Sequence, residues 1–311
     1  MSSAVTPTIA AAKADGTVLV CGGTGQQGSA VARHLLAAGR PIRVLTRDPA
    51  RAVDLEALGA HVVAGDLLER ASVDAALRGV RRVFLVTTRK GAGLEAEVRQ
   101  GVTMADAARA AGVEHLVYTS VGCADRRTGV PHFDTKYEVE QHILGLGLPH
   151  TFLRPVFFME NFACPWFLPA LRRGKLVLPL PPGRPIQVVA VDDIGRFAAA
   201  AFLEPQRFVG RAVGLAGDEL SFAEAMRRLS GLTGRQVTYE QLPPHEVEAS
   251  FGREWAVMFR WFDEVGYAVD VEALRGEWGI PVTGFDRWAR NGSWDALAVG
   301  NTAAACESLR Q

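Results

Sequence analysis

Short apolar runs alternate with amphipathic stretches from residue 16 onward. The run "TVLVCG" (17–22) has the length of a strand and is bounded by glycine, which predicts a buried strand. In the next stretch, roughly 25–38, apolar residues recur on one helical face, and Gly39 and Pro41 follow it. The chain therefore opens with a strand, a glycine-rich turn and a helix.

The same alternation continues through the first half of the chain. Five more strands are predicted, at 41–47, 61–66, 82–88, 114–120 and 151–155. Helices are predicted between them, near 49–58, 70–78, 93–111 and from about 132 to the "GLGLP" breaker at 145–149. Six strands that alternate with helices predict an α/β fold, a doubly wound parallel Rossmann sheet with helices on both faces.

The regular alternation loosens after Pro155. The pattern predicts two extended segments around a Pro/Gly loop at 175–191 and a helix at 192–202. Another strand is predicted at 211–217 and another helix at 221–234. The expected organisation is a flexible tail (1–15), a dinucleotide-binding domain (16–155) and a last part (156–311). We expect that last part to complete the sheet and to form a smaller, mixed, substrate-binding cap.

Composition and charge narrow the function classes. The 34 basic and 34 acidic residues of the 311-residue chain cancel, so no global field favours nucleic acid or an anionic membrane. No apolar run of membrane-spanning length occurs, and residues 1–15 lack the pattern of a signal peptide. The four cysteines form no CxxC and the histidines no HxxxH. These features predict a cytoplasmic protein without a disulfide framework or a metal site.

The glycine-rich turn is the strongest candidate for a binding site. "GGTGQQG" places Gly22, Gly25 and Gly28 in the pattern GxxGxxG, between the first strand and the first helix. Main-chain N–H groups there can approach a diphosphate at a helix N-terminus. The candidate cofactor-binding residues of the turn are Gly22, Gly23, Thr24, Gly25, Gln26, Gln27 and Gly28. The alternative is a strand–helix turn that is merely rich in glycine.

The end of the second strand bears on the choice of nucleotide. In "LTRDP", Arg47 stands about 20 residues after the glycine turn, where an acidic residue would select NAD. A guanidinium group there suits a 2′-phosphate, so NADP is the predicted cofactor and NAD the alternative. Asp48 either points away or opposes this preference. Arg47 can also be read as a solvated surface residue.

Other polar residues follow the remaining strands. Ligands of open α/β sheets bind at the carboxyl ends of the strands, although Asp, Thr and Ser are also ordinary turn residues. The candidates at this edge are Asp66 and Leu67, Thr87 and Thr88, Ser120 and Pro155.

The helix that begins "HFDTKYEVEQH" carries the candidate catalytic residues. In one large group of nicotinamide enzymes, a lysine at this place works with a tyrosine four residues before it. Here His132 holds that position, on the same helical face as Lys136, and none of the four tyrosines has a lysine four residues on. Lys136 can bind ribose hydroxyls, and His132 can donate a proton or merely begin the helix. Hydride transfer to a quinone or enone needs no protein acid. The segment "FFMENF" (157–162) either walls a flat apolar pocket or packs in the core.

Five segments of the chain carry a resemblance to a known family: "VLVCGGTGQQG", "VLTRDP", "GDL", "HFDTKYEVEQHI" and "LRPVFFMENF". Together they resemble the NmrA-like family of atypical short-chain dehydrogenases/reductases, over about residues 16–290. The resemblance implies roles for single residues: Gly22–Gln27 around the diphosphate, Arg47 at the 2′-phosphate, Asp66 and Leu67 beside the adenine, Lys136 at the nicotinamide ribose, and Phe158 to Asn161 in the nicotinamide pocket.

The family includes reductases of conjugated or quinone-like substrates and also NADP(H)-sensing regulators. We therefore expect an NAD(P)H-dependent oxidoreductase that transfers hydride to a small planar carbonyl or quinone-like substrate. The alternative is a non-catalytic NADP(H) sensor that binds a partner protein. A homo-oligomer is compatible with either.

Overall fold

A computed structural model describes residues 16–89, 91, 93–292 and 294. The strands are β1 (Thr17–Cys21), β2 (Ile42–Thr46), β3 (His61–Ala64), β4 (Val80–Val86), β5 (His115–Thr119), β6 (His150–Pro155), β7 (Phe157–Phe158), β8 (Lys175–Leu178), β9 (Pro185–Val189), β10 (Arg211–Leu215), β11 (Asp218–Ser221) and β12 (Thr238–Gln241).

The helices begin and end close to the predicted boundaries wherever the sequence predicted one. They are α1 (Gln26–Ala37), α2 (Val53–Ala57), α3 (Arg70–Ala76), α4 (Leu94–Ala110), α5 (Pro131–Gly145), α6 (Leu168–Arg172), α7 (Val191–Leu203), α8 (Pro205–Phe208), α9 (Phe222–Thr233), α10 (Val247–Phe251), α11 (Arg253–Glu264), α12 (Val271–Trp278) and α13 (Phe285–Asn291).

Seven strands form the central sheet in the order β10-β6-β5-β4-β1-β2-β3. All of its neighbouring strands run parallel. The doubly wound parallel sheet is therefore confirmed, and the strand predicted at 211–217 is its seventh member, β10. The strand order reverses between β1 and β4, and open α/β sheets bind ligands in the crevice at such a switch point.

Alternate residues of β1 face the two layers of helices. Val18 and Val20 pack with α1 and α7 on one face of the sheet. Leu19 and Cys21 pack with α3, α4 and α5 on the other face. Because both faces are covered, the inner strands are mostly apolar, as the short apolar runs of the sequence indicated.

Most of the remaining elements form a smaller mixed part, the cap, which has a hydrophobic core of its own. Its sheets are β11-β9-β7 and β12-β8, and the core between them and α9, α11 and α13 combines aliphatic side chains with many aromatic ones. Helix α12 returns to the central sheet, where Leu274 and Trp278 join the main core. The smaller mixed part is thus confirmed as a feature of the fold, whereas its role in substrate binding stays a prediction.

Two further expectations concern the ends of the chain and the membrane. The tail predicted at 1–15 lies outside the described residues. None of the helices that the structure describes combines the length and the hydropathy needed to cross a bilayer.

Candidate functional site

The turn between β1 and α1 is shaped by its glycines. Gly22 has φ +66°, and a Cβ atom there would lie 2.7 Å from Cγ1 of Val86 on β4. A Cβ atom on Gly28 would lie 2.3 Å from the carbonyl oxygen of Gly22. The N–H of Gly25 donates to that same carbonyl oxygen at 2.9 Å. Glycine is therefore required at 22 and 28, because the first turn of α1 presses directly on the end of β1.

The N-terminus of α1 is open to an anion. No side chain caps the helix and no acidic residue stands in its first turn, so the first N–H groups keep their capacity to bind a negative group. The flanking side chains are fixed. Oγ1 of Thr119 donates to Oε1 of Gln27 at 2.6 Å, and Oγ1 of Thr24 lies 3.4 Å from Oγ1 of Thr46. The turn thus fits a diphosphate and is tied to the ends of β5 and β2.

The end of β2 presents Arg47 to solvent. The structure gives its guanidinium group no hydrogen bond or ion pair to any other described residue. The neighbouring Asp48 carboxylate accepts the N–H of Ala50 at 3.2 Å and caps a short 3₁₀ turn. Because Asp48 is engaged in that cap, Arg47 is left as an exposed cation at the predicted ribose position.

Asp66 and Leu67 follow β3 at the same edge of the sheet. Oδ1 of Asp66 accepts the N–H of Leu68 at 2.9 Å, and the backbone of Asp66 bonds to the hydroxyl of Ser72. Leu67 is half-buried against the core under the sheet. The structure thus places both residues beside the end of β2, and their contact with an adenine stays a prediction.

Lys136 lies in a polar cluster at the end of β4. Its Nζ is 3.0 Å from Oε1 of Glu97 and 3.4 Å from Oγ1 of Thr87. The hydroxyl of Tyr118 lies 3.2 Å from the same Thr87 oxygen. Thr135 donates to Oε2 of Glu97 at 2.9 Å. The structure therefore brings the predicted Lys136 and Thr87 together and adds Glu97, which is only 2% exposed.

Tyr118 does not replace the tyrosine missing from the sequence pattern. Its side chain is fully buried, and burial raises its pKa well above the usual value of a phenol, with smaller effects of Glu97 and Glu140. A buried phenol with a raised pKa is a poor proton donor at neutral pH.

Thr88, which follows Thr87 in the chain, is exposed, and its backbone N–H and C=O bond to the side-chain amide of Gln100 at 2.9 and 3.1 Å.

His132 is joined to the cap. Its Nδ1 lies 2.9 Å from Oε1 of Glu254 on α11, and Oε2 of Glu254 accepts from Arg89 at 2.9 Å. Burial lowers the pKa of His132 to about 3, with the charges of Arg89 and Lys136 adding to the effect. His132 lies in the first turn of α5, after the N-cap residue Val130, and no side chain caps that helix. Its neutral ring therefore links α5 to α11 and does not cap the helix start. Proton donation by His132 stays a prediction.

Part of the aromatic segment at 157–162 is buried in the core, and part of it keeps accessible surface. Met159 and Phe162 are fully buried in the cap, so for these two the interpretation as a pocket wall is wrong. Phe158 and Asn161 are half-buried. The amide of Asn161 has no hydrogen bond to another described residue. These two residues keep accessible surface, and their place in the nicotinamide pocket stays a prediction.

Ser120 offers a hydroxyl without a partner. It is 4% exposed, and its Oγ has no hydrogen-bond partner within the described part of the chain. Ser120 directly follows β5, the strand whose Tyr118 bonds to Thr87 in the Lys136 cluster. An unpaired buried hydroxyl costs about 1–3 kcal/mol, which suits a group that bonds a ligand.

The described residues also enclose a cavity outside the predicted site. A cavity of about 320 Å³ beside β6 and β10 includes Cys123 but none of the predicted cofactor-binding residues. Burial raises the pKa of the Cys123 thiol, which favours an inert role. No cluster of three or more metal-ligating side chains occurs in the described ranges.

Comparisons with known proteins agree with this architecture. A family model described as the NmrA-like family matches residues 14–280. The NAD(P)H azoreductase of Xenophilus azovorans is 35% identical over 226 residues, which cover 71% of this chain and 76% of that protein. The nitrogen metabolite repression protein nmrA of Emericella nidulans is 27% identical, with 95% of this chain and 86% of that protein covered.

A solved structure shows the same fold at moderate identity. The NADPH-dependent quinone oxidoreductase of Escherichia coli, complexed with NADPH, superposes with a TM-score of 0.76 at 26% identity. The alignment covers 88% of this chain and 99% of that chain. With the family model matching most of its length and a relative above 30% identity, the chain belongs to the NmrA-like family.

Proposed function

We propose that this protein is an NADP(H)-dependent oxidoreductase that transfers hydride to a small planar quinone-like or carbonyl substrate. The observation that carries the proposal is the assembly of one sheet edge: an uncapped helix N-terminus after β1, an exposed Arg47 after β2, and Lys136 beside Thr87 after β4. Membership of a family with azoreductase and quinone oxidoreductase relatives supports it.

The chemistry needs little from the protein beyond binding and orientation. A bound NADPH supplies the hydride, so that quinone, NADPH and one proton become hydroquinone and NADP⁺. The ammonium group of Lys136 favours ribose hydroxyls and the negative charge that the acceptor gains. The hydroxyl of Ser120 is free to donate to the acceptor or the cofactor. Solvent can supply the proton, because the conjugate acid of a hydroquinone anion forms readily in water.

Turnover tests the proposal directly. The protein is incubated with NADPH and a panel of quinones, enones and azo compounds, and the loss of absorbance at the NADPH band is followed. We expect NADPH consumption with at least one quinone or azo acceptor, and a much weaker signal from Lys136→Gln. No consumption above background across the panel would contradict the proposal.

A regulator that senses NADP(H) is the second candidate. The ion pair between Arg89, in the loop after β4, and Glu254, on cap helix α11, favours it, because this pair links the cofactor edge to the cap. Limited proteolysis with and without NADP⁺ tests the idea. A cofactor-driven switch requires a changed digest, and identical fragment patterns would contradict it.

Arg47→Ala is expected to weaken NADPH binding about 10- to 100-fold and NADH binding little, because a charged hydrogen bond to a phosphate contributes about 1.5–3 kcal/mol. Arg51→Ala, an exposed arginine in the adjacent 3₁₀ turn, is the matched control and should change neither affinity. Calorimetric titration with both coenzymes measures the difference. Equal losses for NADPH and NADH in Arg47→Ala would show that Arg47 does not bind the 2′-phosphate.

A further inference from the structure

Glu97 is a buried acidic residue on an amphipathic helix. It stands in the first turn of α4 and is 2% exposed. Removing a carboxylate from water costs several kcal/mol unless its oxygens are paired. The sequence places it among polar residues of an amphipathic helix, where a solvated side chain is the usual outcome.

Both oxygens of Glu97 are engaged by groups of the cofactor edge. Oε1 lies 3.0 Å from Nζ of Lys136 and 3.5 Å from Oγ1 of Thr87, while Oε2 accepts from Thr135 at 2.9 Å. The Lys136 side chain is itself only 16% exposed. The carboxylate thus fixes the end of a long, flexible side chain at the carboxyl end of β4.

The Glu97–Lys136 pair joins α4 to α5, and it is not the contact that attaches α5 to the sheet. A separate buried pair makes that attachment: the Glu140 carboxylate on α5 accepts from Nε and one Nη of Arg154 on β6, at 3.0 and 2.6 Å. A buried ion pair is also weak evidence for stability, since well-packed apolar residues often serve equally well. The Glu97–Lys136 pair differs because its ammonium group lies at the edge where ligands bind.

We propose that Glu97 is a positioning residue for Lys136: it holds the ammonium group beside Thr87, ready for the ribose of the cofactor and for charge on the acceptor. The inference rests on the proposed function of this edge. Nearby charges support the assignment, because Glu140 is matched by Arg154 and the Tyr118 phenol is neutral. Within the described residues, Glu97 is therefore the carboxylate that pairs with Lys136.

Glu97→Gln keeps the shape of the side chain and removes its charge. We expect kcat/KM with NADPH and the best acceptor to fall at least about tenfold, and NADPH affinity to fall as well, because a neutral amide no longer holds the ammonium group with a charge-assisted hydrogen bond. Glu140→Gln is the matched control. It also removes a buried, arginine-paired carboxylate, and its kcat/KM should stay within about twofold of the wild type.

A double-mutant cycle separates positioning from general damage. If Glu97 acts through Lys136, adding Glu97→Gln to Lys136→Gln should lower kcat/KM no further. A multiplied loss in the double variant, or an equal loss in Glu140→Gln, would overturn the proposal. Should Glu97→Gln fail to fold, Thr135→Val serves instead. It removes the hydroxyl that donates to Glu97, and a smaller decrease of the same kind is expected.

A spectroscopic test works without turnover. The chain has four lysines, so a protein labelled with ¹⁵N on lysine gives at most four side-chain ammonium signals. We expect a Lys136 signal protected from exchange by its hydrogen bonds, assigned by its absence in Lys136→Gln and lost in Glu97→Gln. A signal unchanged in Glu97→Gln would refute the positioning role. If no acceptor is reduced, the proposed function fails while this spectrum still tests the inference.

Discussion

Gly28→Ala is expected to abolish NADP(H) binding and to destabilise the fold by about 1–3 kcal/mol or more. The new Cβ atom would lie 2.3 Å from the carbonyl oxygen of Gly22 and 2.8 Å from that of Cys21. These obstacles are backbone atoms at the end of β1, so no side chain can rotate away. The first turn of α1 must move off the sheet, which misplaces the N–H groups that would bind the diphosphate.

Gly231→Ala is the matched control for Gly28→Ala. Gly231 also lies within a helix, α9, but a Cβ atom there would meet nothing within 4 Å. Alanine should therefore be neutral or add up to about 1 kcal/mol of stability, because it favours the helix. Urea unfolding and NADPH titration of both variants check the prediction. Normal NADPH affinity in Gly28→Ala would refute the proposed diphosphate site.

Acid should destabilise the protein through His115, at the start of β5. The residue is 2% exposed, and its Nε2 lies 2.8 Å from Oγ1 of Thr151, whose own hydrogen is donated to the carbonyl of Phe208. Nε2 must therefore carry the proton, and Nδ1 has no partner within the described chain. Burial, with the charges of Arg82 and His150, lowers the pKa of His115 to about 4.

The sign of the effect follows from this lowered pKa. The folded state disfavours the charged ring, so the contribution of His115 to stability is complete above the unfolded value near pH 6.5 and is lost as the pH falls towards 4. The loss at pH 4 amounts to about 3 kcal/mol. Urea unfolding at pH 7 and pH 4 measures it.

His115→Phe should reduce this acid sensitivity by about 3 kcal/mol, because phenylalanine cannot take up a proton and can keep the edge contact with Phe202. His245→Gln is the control. The side chain of His245 is 81% exposed, so its replacement should leave the pH dependence unchanged. If His115→Phe lost as much stability in acid as the wild type, the buried neutral ring would not be its cause.

Part of the candidate site could be predicted from the sequence. The glycines of the first turn, Arg47 and the strand-end residues follow directly from where apolar runs stop, because parallel strands bring their carboxyl ends to one edge. Lys136 was found from its place on the helix after β5. The resemblance to the NmrA-like family added the same positions and is confirmed by the match over residues 14–280.

Other parts of the site depend on partners far away in the chain. Glu97 is paired because α4 packs against α5, which brings it to a residue 39 positions away. The ring of His132 meets Glu254 across 122 positions. Spacing within one helix contains no information about such partners. The sequence therefore left His132 as a candidate proton donor and did not identify Glu97 as a site residue.

By itself, the sequence determined the strand–helix alternation, the doubly wound sheet and the glycine turn, because these depend on local periodicity and on a tight turn whose positive φ and close backbone approach favour glycine. The tertiary structure decided which polar side chains are buried and with whom. It divided the aromatic segment at 157–162 between core and edge, and it turned Glu97 inward. Burial of a single side chain depends on how whole elements pack, and packing is a property of the assembled layers.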